Sequence, residues 1–223
     1  MKAVDVAKDL IFLMDIYNIG NENTPKGKNV ELSNTKLQKI MYIVMGVALK
    51  VDMIPKTSVL NNEGKVVLSL FDELPEAWPY GPVFKNIYQN YSQLTTEAFS
   101  VNYKPFYEVK EGKSISRQRD EEIMKYILQE FIASNIPKKK ALELSNWSHQ
   151  DGSPWKFVCD KYNTFGCKIE SFLIKGYFDK LKKEDLFGLD IDKIYAKAEE
   201  IRKKYITKYL ELQLNLDKTT NHL

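Results

Sequence analysis

Two histidines, His149 and His222, are all that this chain of 223 residues offers for imidazole chemistry. A Ser-His-Asp or Cys-His site has to be built on His149, since His222 falls in a C-terminal stretch, 215–223, that is expected to fray. No G-x-S-x-G turn accompanies either histidine. The two cysteines, Cys159 and Cys167, are separated by seven residues, a spacing outside the short chelating pairs of zinc sites. They read as core-filling thiols rather than as metal ligands alongside His149. Phosphate-cradling loops need several glycines, and Gly81 stands alone between Tyr80 and Pro82. Carboxylates are plentiful, but no spacing singles out a pair. The expectation is a protein that is not an enzyme and has no metal and no cofactor.

Binding chemistry is the remaining class. Lys138-Lys139-Lys140, Lys180 with Lys182-Lys183, and Arg202-Lys203-Lys204 are the candidate phosphate contacts. Glu184 and Asp185 follow the second cluster, Glu199 and Glu200 precede the third, and the net charge is only +3. Only Arg117, Arg119 and Arg202 are arginine, whereas bidentate recognition of guanine or phosphate favours that residue. These clusters read as solvated helix faces, and a nucleic-acid partner is not expected. The aromatics carry more weight. Trp78, Tyr80, Trp147 and Trp155 sit in turn-rich segments, where they either fill the core between helices or anchor a protein partner.

The elements that hold these residues are mainly helical. Gly (10) and Pro (8) are sparse, which favours few, long elements. Apolar residues at three- and four-residue spacing predict helices over Val4–Tyr17 and Thr35–Lys50, the second capped by Ser33 or Asn34 and apolar enough to be central. A polar loop, Gly20 to Lys28, separates them. Asn61–Gly64 has turn chemistry, Val66–Phe71 has strand composition, and Trp78–Tyr80 reads as a second extended piece. Pro82 suits the first position of a helix over Val83–Tyr91, with Val83, Ile87, Tyr88 and Tyr91 inward. Phe99, Val101 and Tyr103 alternate with polar residues and predict a strand. Further helices are expected from Ser116 to Ser134, after Pro137 to about Asn146, and over Ile169–Leu181. From about Asp192 to Leu214 the residues Ile191, Ile194, Ala198, Ile201, Tyr205 and Leu212 form a near-heptad seam, which Lys208 interrupts.

Several blocks together resemble one family, the Panacea domain, also described as SocA-like or phage-associated antitoxins. They are Val4-Asp5-Val6-Ala7, Leu37-Gln38-Lys39-Ile40-Met41-Tyr42, the stretch Pro75 to Val83, Leu144-Ser145 with Ser148-His149, Ser153-Pro154-Trp155, and Ile174 to Phe178. They span Val4 to Lys180. The resemblance implies a compact, mainly α multi-helix domain with a small β element, in agreement with the periodicity. It also implies an antitoxin of a bacterial or phage toxin-antitoxin pair, neutralising a cognate toxin protein by direct contact. A proteolytic adaptor that delivers its toxin to an AAA+ protease is the alternative within the family, and a nucleic-acid-binding regulator is the alternative outside it.

On this reading the domain covers 1–182, and 183–223 is a C-terminal helical extension. Trp78, Gly81, Pro82, Pro154 and Trp155 are expected to hold the fold. Gly81 would supply a conformation or a close approach forbidden to side chains. Tyr80 and His149 are candidates for partner contact, and the seam of Ile194, Ile201, Tyr205 and Leu212 is a candidate surface for a partner or for self-association. The longest apolar run, Met41 to Leu49, is too short to span a bilayer, and no leader of apolar residues opens the chain, so a cytoplasmic protein without a membrane partner is expected.

Overall fold

In the computed structural model, residues 1–20, 32–108 and 112–220 are described. The first helix, α1, spans Ala3–Gly20, and most of the loop expected after it falls outside those residues. The second, α2 (Asn34–Lys50), is the axis of the molecule. The Ser33 hydroxyl accepts the Lys36 N–H at its start, and every residue from Lys36 to Leu49 is buried. A helix buried on every face requires neighbours on every side. α2 has them: α3 (Lys85–Ala98), α4 (Ile115–Ala133), α5 (Ala141–Ser148) and α7 (Ser171–Phe178) surround it.

One close approach depends on a missing side chain. The Phe178 ring of α7 lies flat on α2 at Gly46, where a Cβ would sit 2.2 Å from Phe178 Cζ. That ring meets Tyr42 and Trp147 edge-on, with centroids 5.8 and 5.9 Å away, in the arrangement aromatic quadrupoles favour.

Two small antiparallel sheets flank the bundle. One is the hairpin of β1 (Thr57–Leu60) and β2 (Val66–Ser69). The other has the order β4-β3-β5, formed by Gly81–Val83, Glu76–Trp78 and Cys167–Lys168. The open edge of β5 is covered by a side chain. The Asn62 amide donates to Lys168 O at 2.9 Å and accepts from Lys168 N at 2.6 Å, so it stands in for a missing strand.

The remaining helices are α6 (Pro154–Tyr162) and α8 (Ile191–Thr220). α8 runs antiparallel along α4: Lys193 pairs with Glu130, Lys204 with Glu122, and Lys208 bonds Gln118. Its seam closes on the same apolar cluster as α1 and α2.

Several expectations need correction. Pro82 does not begin a helix. It lies in β4, α3 starts at Lys85, and α3 runs on to Ala98 rather than stopping at Tyr91. No strand forms over Phe99–Tyr103. Phe99 closes α3, Val101 is fully exposed in a turn, and Tyr103 donates its hydroxyl to buried Asp9 of α1 instead of pairing in a ladder. Tyr88, expected inward, is 44% exposed. α8 continues through residues 215–220, where fraying was expected. Among the described residues no helix is long and apolar enough to cross a membrane.

Candidate functional site

Four of the six sequence blocks set out above (Leu37–Tyr42, Pro75–Val83, Leu144-Ser145 with Ser148-His149, and Ser153–Trp155) lie far apart in sequence and meet at one tight hairpin, while Val4–Ala7 and Ile174–Phe178 belong to α1 and α7. Trp78 pairs with Gly81, so Pro79 and Tyr80 form a two-residue turn between β3 and β4. β4 is an edge strand, and α2 satisfies its outer side. The Phe84 N–H donates to Gln38 Oε1 at 2.8 Å, and Lys39 Nζ donates to Pro82 O at 3.0 Å. Consecutive residues of α2 thus supply an acceptor and a donor in the register of a strand edge. Gln38 is itself oriented by its donation to Asn34 Oδ1 at 3.0 Å. Proline is tolerated here because an edge strand can dispense with one N–H.

The turn is gripped from two further helices. Ser145 Oγ of α5 donates to Tyr80 O at 2.7 Å, and Trp155 Nε1 of α6 donates to Trp78 O at 2.8 Å. Three carbonyls of an eight-residue hairpin (Trp78, Tyr80 and Pro82) therefore each accept a bond from a different helix. Gly81 has φ +99°, and its ideal Cβ position lies 2.5 Å from Ser148 Oγ and 2.9 Å from Lys39 Cε. Only glycine fits both the conformation and the space.

The surface this scaffold presents is aromatic. Tyr80 is 73% exposed at the tip. Half-buried Trp78 packs on Tyr88 with centroids 5.0 Å apart and donates its indole N–H to Glu76 at 2.9 Å. Trp155 stacks on His149 at 3.8 Å, with 23° between the planes, and reaches exposed Phe165 at 6.5 Å.

Beneath the hairpin the electrostatics are those of a buried amine. Lys39 is 1% exposed, and desolvation pulls its pKa down to about 7. His149 is also lowered, first by burial and then by the Lys39 charge, and its Nε2 is buried without a hydrogen-bond partner. At the start of α3, Glu73 accepts the Asn86 N–H at 3.0 Å, and burial raises its pKa to about 7.

A pH prediction follows from Lys39. Below about pH 7 it is charged in both folded and unfolded chains, and folding bears the full desolvation cost. Between about 7 and its ordinary 10.5 the folded chain holds fewer protons than the unfolded one, so Lys39's contribution to stability rises with pH. In denaturant titrations from pH 7 to 10, wild type is expected to gain on Lys39→Met by up to about 1.4 kcal/mol per pH unit. A constant difference across that range would contradict it.

Beside the hairpin, Ser148 Oγ donates to Ser145 O at 2.7 Å, and the His149 ring stacks on Trp155. Cys159 on α6 and Cys167 on β5 are free, half-buried thiols packed against the core. Among the described residues no group of three His, Cys, Asp or Glu side chains is placed to hold a metal ion.

The residues selected from sequence divide into two places. Trp78, Tyr80, Gly81, Pro82, His149, Pro154 and Trp155 lie at or beside the hairpin; Pro154 is the buried first residue of α6, behind the Ser153 cap. The seam of α8 lies elsewhere. Ile194, Ile201 and Tyr205 are buried, the Tyr205 hydroxyl bonding Glu122 of α4 at 2.9 Å, so they face the core and are closed to a partner; Leu212 is exposed. Tyr88 and Phe165, which widen the aromatic surface, carry no local signal in the sequence, because only tertiary contacts bring them beside Trp78 and Trp155. No family model, curated protein or solved structure matches the chain.

Proposed function

We propose that the chain is an antitoxin that neutralises a cognate toxin protein by direct contact, centred on the β3–β4 hairpin. The observation that carries this reading is the convergence of the L-Q-K, E-A-W-x-Y-G-P-V and H-x-x-x-S-P-W blocks on a turn whose tip is an exposed tyrosine. Exposed aromatics on rigid backbone are the usual centres of binding energy, because little conformational freedom is lost when the partner arrives. Lys39, Ser145 and Trp155 remove that freedom in advance by holding the three carbonyls. Trp78, Tyr88 and Phe165 supply apolar rim around Tyr80 for a standard interface of about 1,200–2,000 Å².

Co-expression with the adjacent reading frame tests the proposal. That product alone is expected to arrest growth, and the present chain to restore it through a complex that co-purifies. A neighbour that is harmless alone, or that stays harmful in the presence of the chain, overturns the reading.

A further inference from the structure

The fold brings together two thiols that have no role in holding the hairpin. Trp155, Val158, Cys159 and Tyr162 follow one another at three- and four-residue spacing and so share one face of α6. That face packs inward. Val158 is buried, the other three are half-buried against the core, and the Trp155 indole bonds Trp78 O of β3. α6 lies against both β3 and β5. Cys167 stands opposite Ala77 in the β3–β5 ladder, and directly opposed residues project to the same side of a sheet. Ala77 is fully buried, so Cys167 points inward as well.

The chain between the two cysteines doubles back. α6 ends at Asn163, whose φ of +49° stops the helix, and the Gly166 N–H is tied to Ala77 O at 2.7 Å. Cys167 is thereby returned to the helix face that carries Cys159, and both thiols are free. Their proximity is felt electrostatically. The Cys159 pKa is raised, first by burial and then by the charges of Asp160 and Cys167.

We infer that Cys159 and Cys167 are a redox pair that closes into an intramolecular disulfide. With oxidised glutathione as the oxidant, one protein thiolate displaces a glutathione thiolate and leaves a mixed disulfide. The second protein thiolate then attacks that mixed disulfide and displaces the other glutathione. The two protons lost by the cysteines end on the two glutathione thiols, and one disulfide is reduced for each one formed. The new bond ties the last turns of α6 to β5 and closes a loop that carries exposed Phe165, on the flank of the aromatic surface. It does not depend on the antitoxin reading.

Equilibration of the purified full chain in glutathione redox buffers at about pH 8, followed by acid quench, alkylation and tryptic mapping, tests it. Trypsin cleaves after Lys156, Lys161 and Lys168, so the two cysteines fall in separate peptides, 157–161 and 162–168. The expected product is a monomer in which these two peptides are joined and no thiol is alkylated until a reductant is added. Half-conversion is expected to need at least about tenfold less oxidised glutathione in native buffer than in denaturing urea, because the fold holds the thiols together. Cys159→Ser and Cys167→Ser are each expected to stop at the mixed disulfide. Thiols that stay open to alkylation, mixed or cross-chain disulfides alone, or a linkage that forms as easily in urea would overturn the inference.

Discussion

Gly81→Ala is expected to destabilise the fold by about 2–4 kcal/mol, lowering the midpoint of thermal unfolding by roughly 5–15 °C. Two independent costs add at this position. The backbone φ of +99° is one that L side chains rarely adopt, and the new methyl arrives 2.5 Å from Ser148 Oγ and 2.9 Å from Lys39 Cε. Neither neighbour can retreat cheaply. Ser148 Oγ is held by its bond to Ser145 O, and Lys39 is buried with its amine on Pro82 O. Adding Ser148→Ala to the variant relieves one clash and leaves the backbone strain, so only part of the loss is recovered. A midpoint within a degree of wild type for Gly81→Ala would mean that the hairpin is not clamped as described.

Tyr80→Ala is expected to do the reverse, leaving stability intact and removing function. The fold uses only the carbonyl of Tyr80, which alanine keeps, while the ring is largely in solvent. Its thermal midpoint should therefore match wild type within one or two degrees. If the ring anchors the toxin, affinity falls at least about a hundredfold, the scale of a central aromatic hot spot, and co-expression no longer restores growth. Trp155→Ala serves as the contrast. It deletes the bond to Trp78 O and the face on which His149 stacks, so stability and neutralisation fall together.

The long elements were legible because their periodicity is long. α2 shows apolar residues on every face, and the seam Ile194, Ala198, Ile201 and Tyr205 marks α8 without ambiguity. Whether that seam met a partner or its own domain was not written in the spacing; α4 decides it by supplying Glu122, Gln118 and Glu130 at the matching heights. α6 has little sequence signal, although Ser153-Pro154 is a sound helix start. It has nine residues, of which only Pro154 and Val158 are buried, too few to show a period.

Pro82 was ambiguous on local grounds, since proline serves equally at a helix start and on a strand edge. Gln38 and Lys39, more than forty residues away, settle it by satisfying the backbone groups of an edge strand. The candidate site has the same character. Each block could be picked out from the sequence, but Lys39, Ser145 and Trp155 gripping three carbonyls of one hairpin is a tertiary fact.

The most direct test of the central claim is backbone hydrogen exchange of the chain, free and in complex with the product of the adjacent reading frame. Protection gained on binding is predicted to centre on residues 78–88 and the neighbouring 163–166 turn. A complex whose new protection lies wholly elsewhere, with the hairpin exchanging as it does in the free protein, would contradict it.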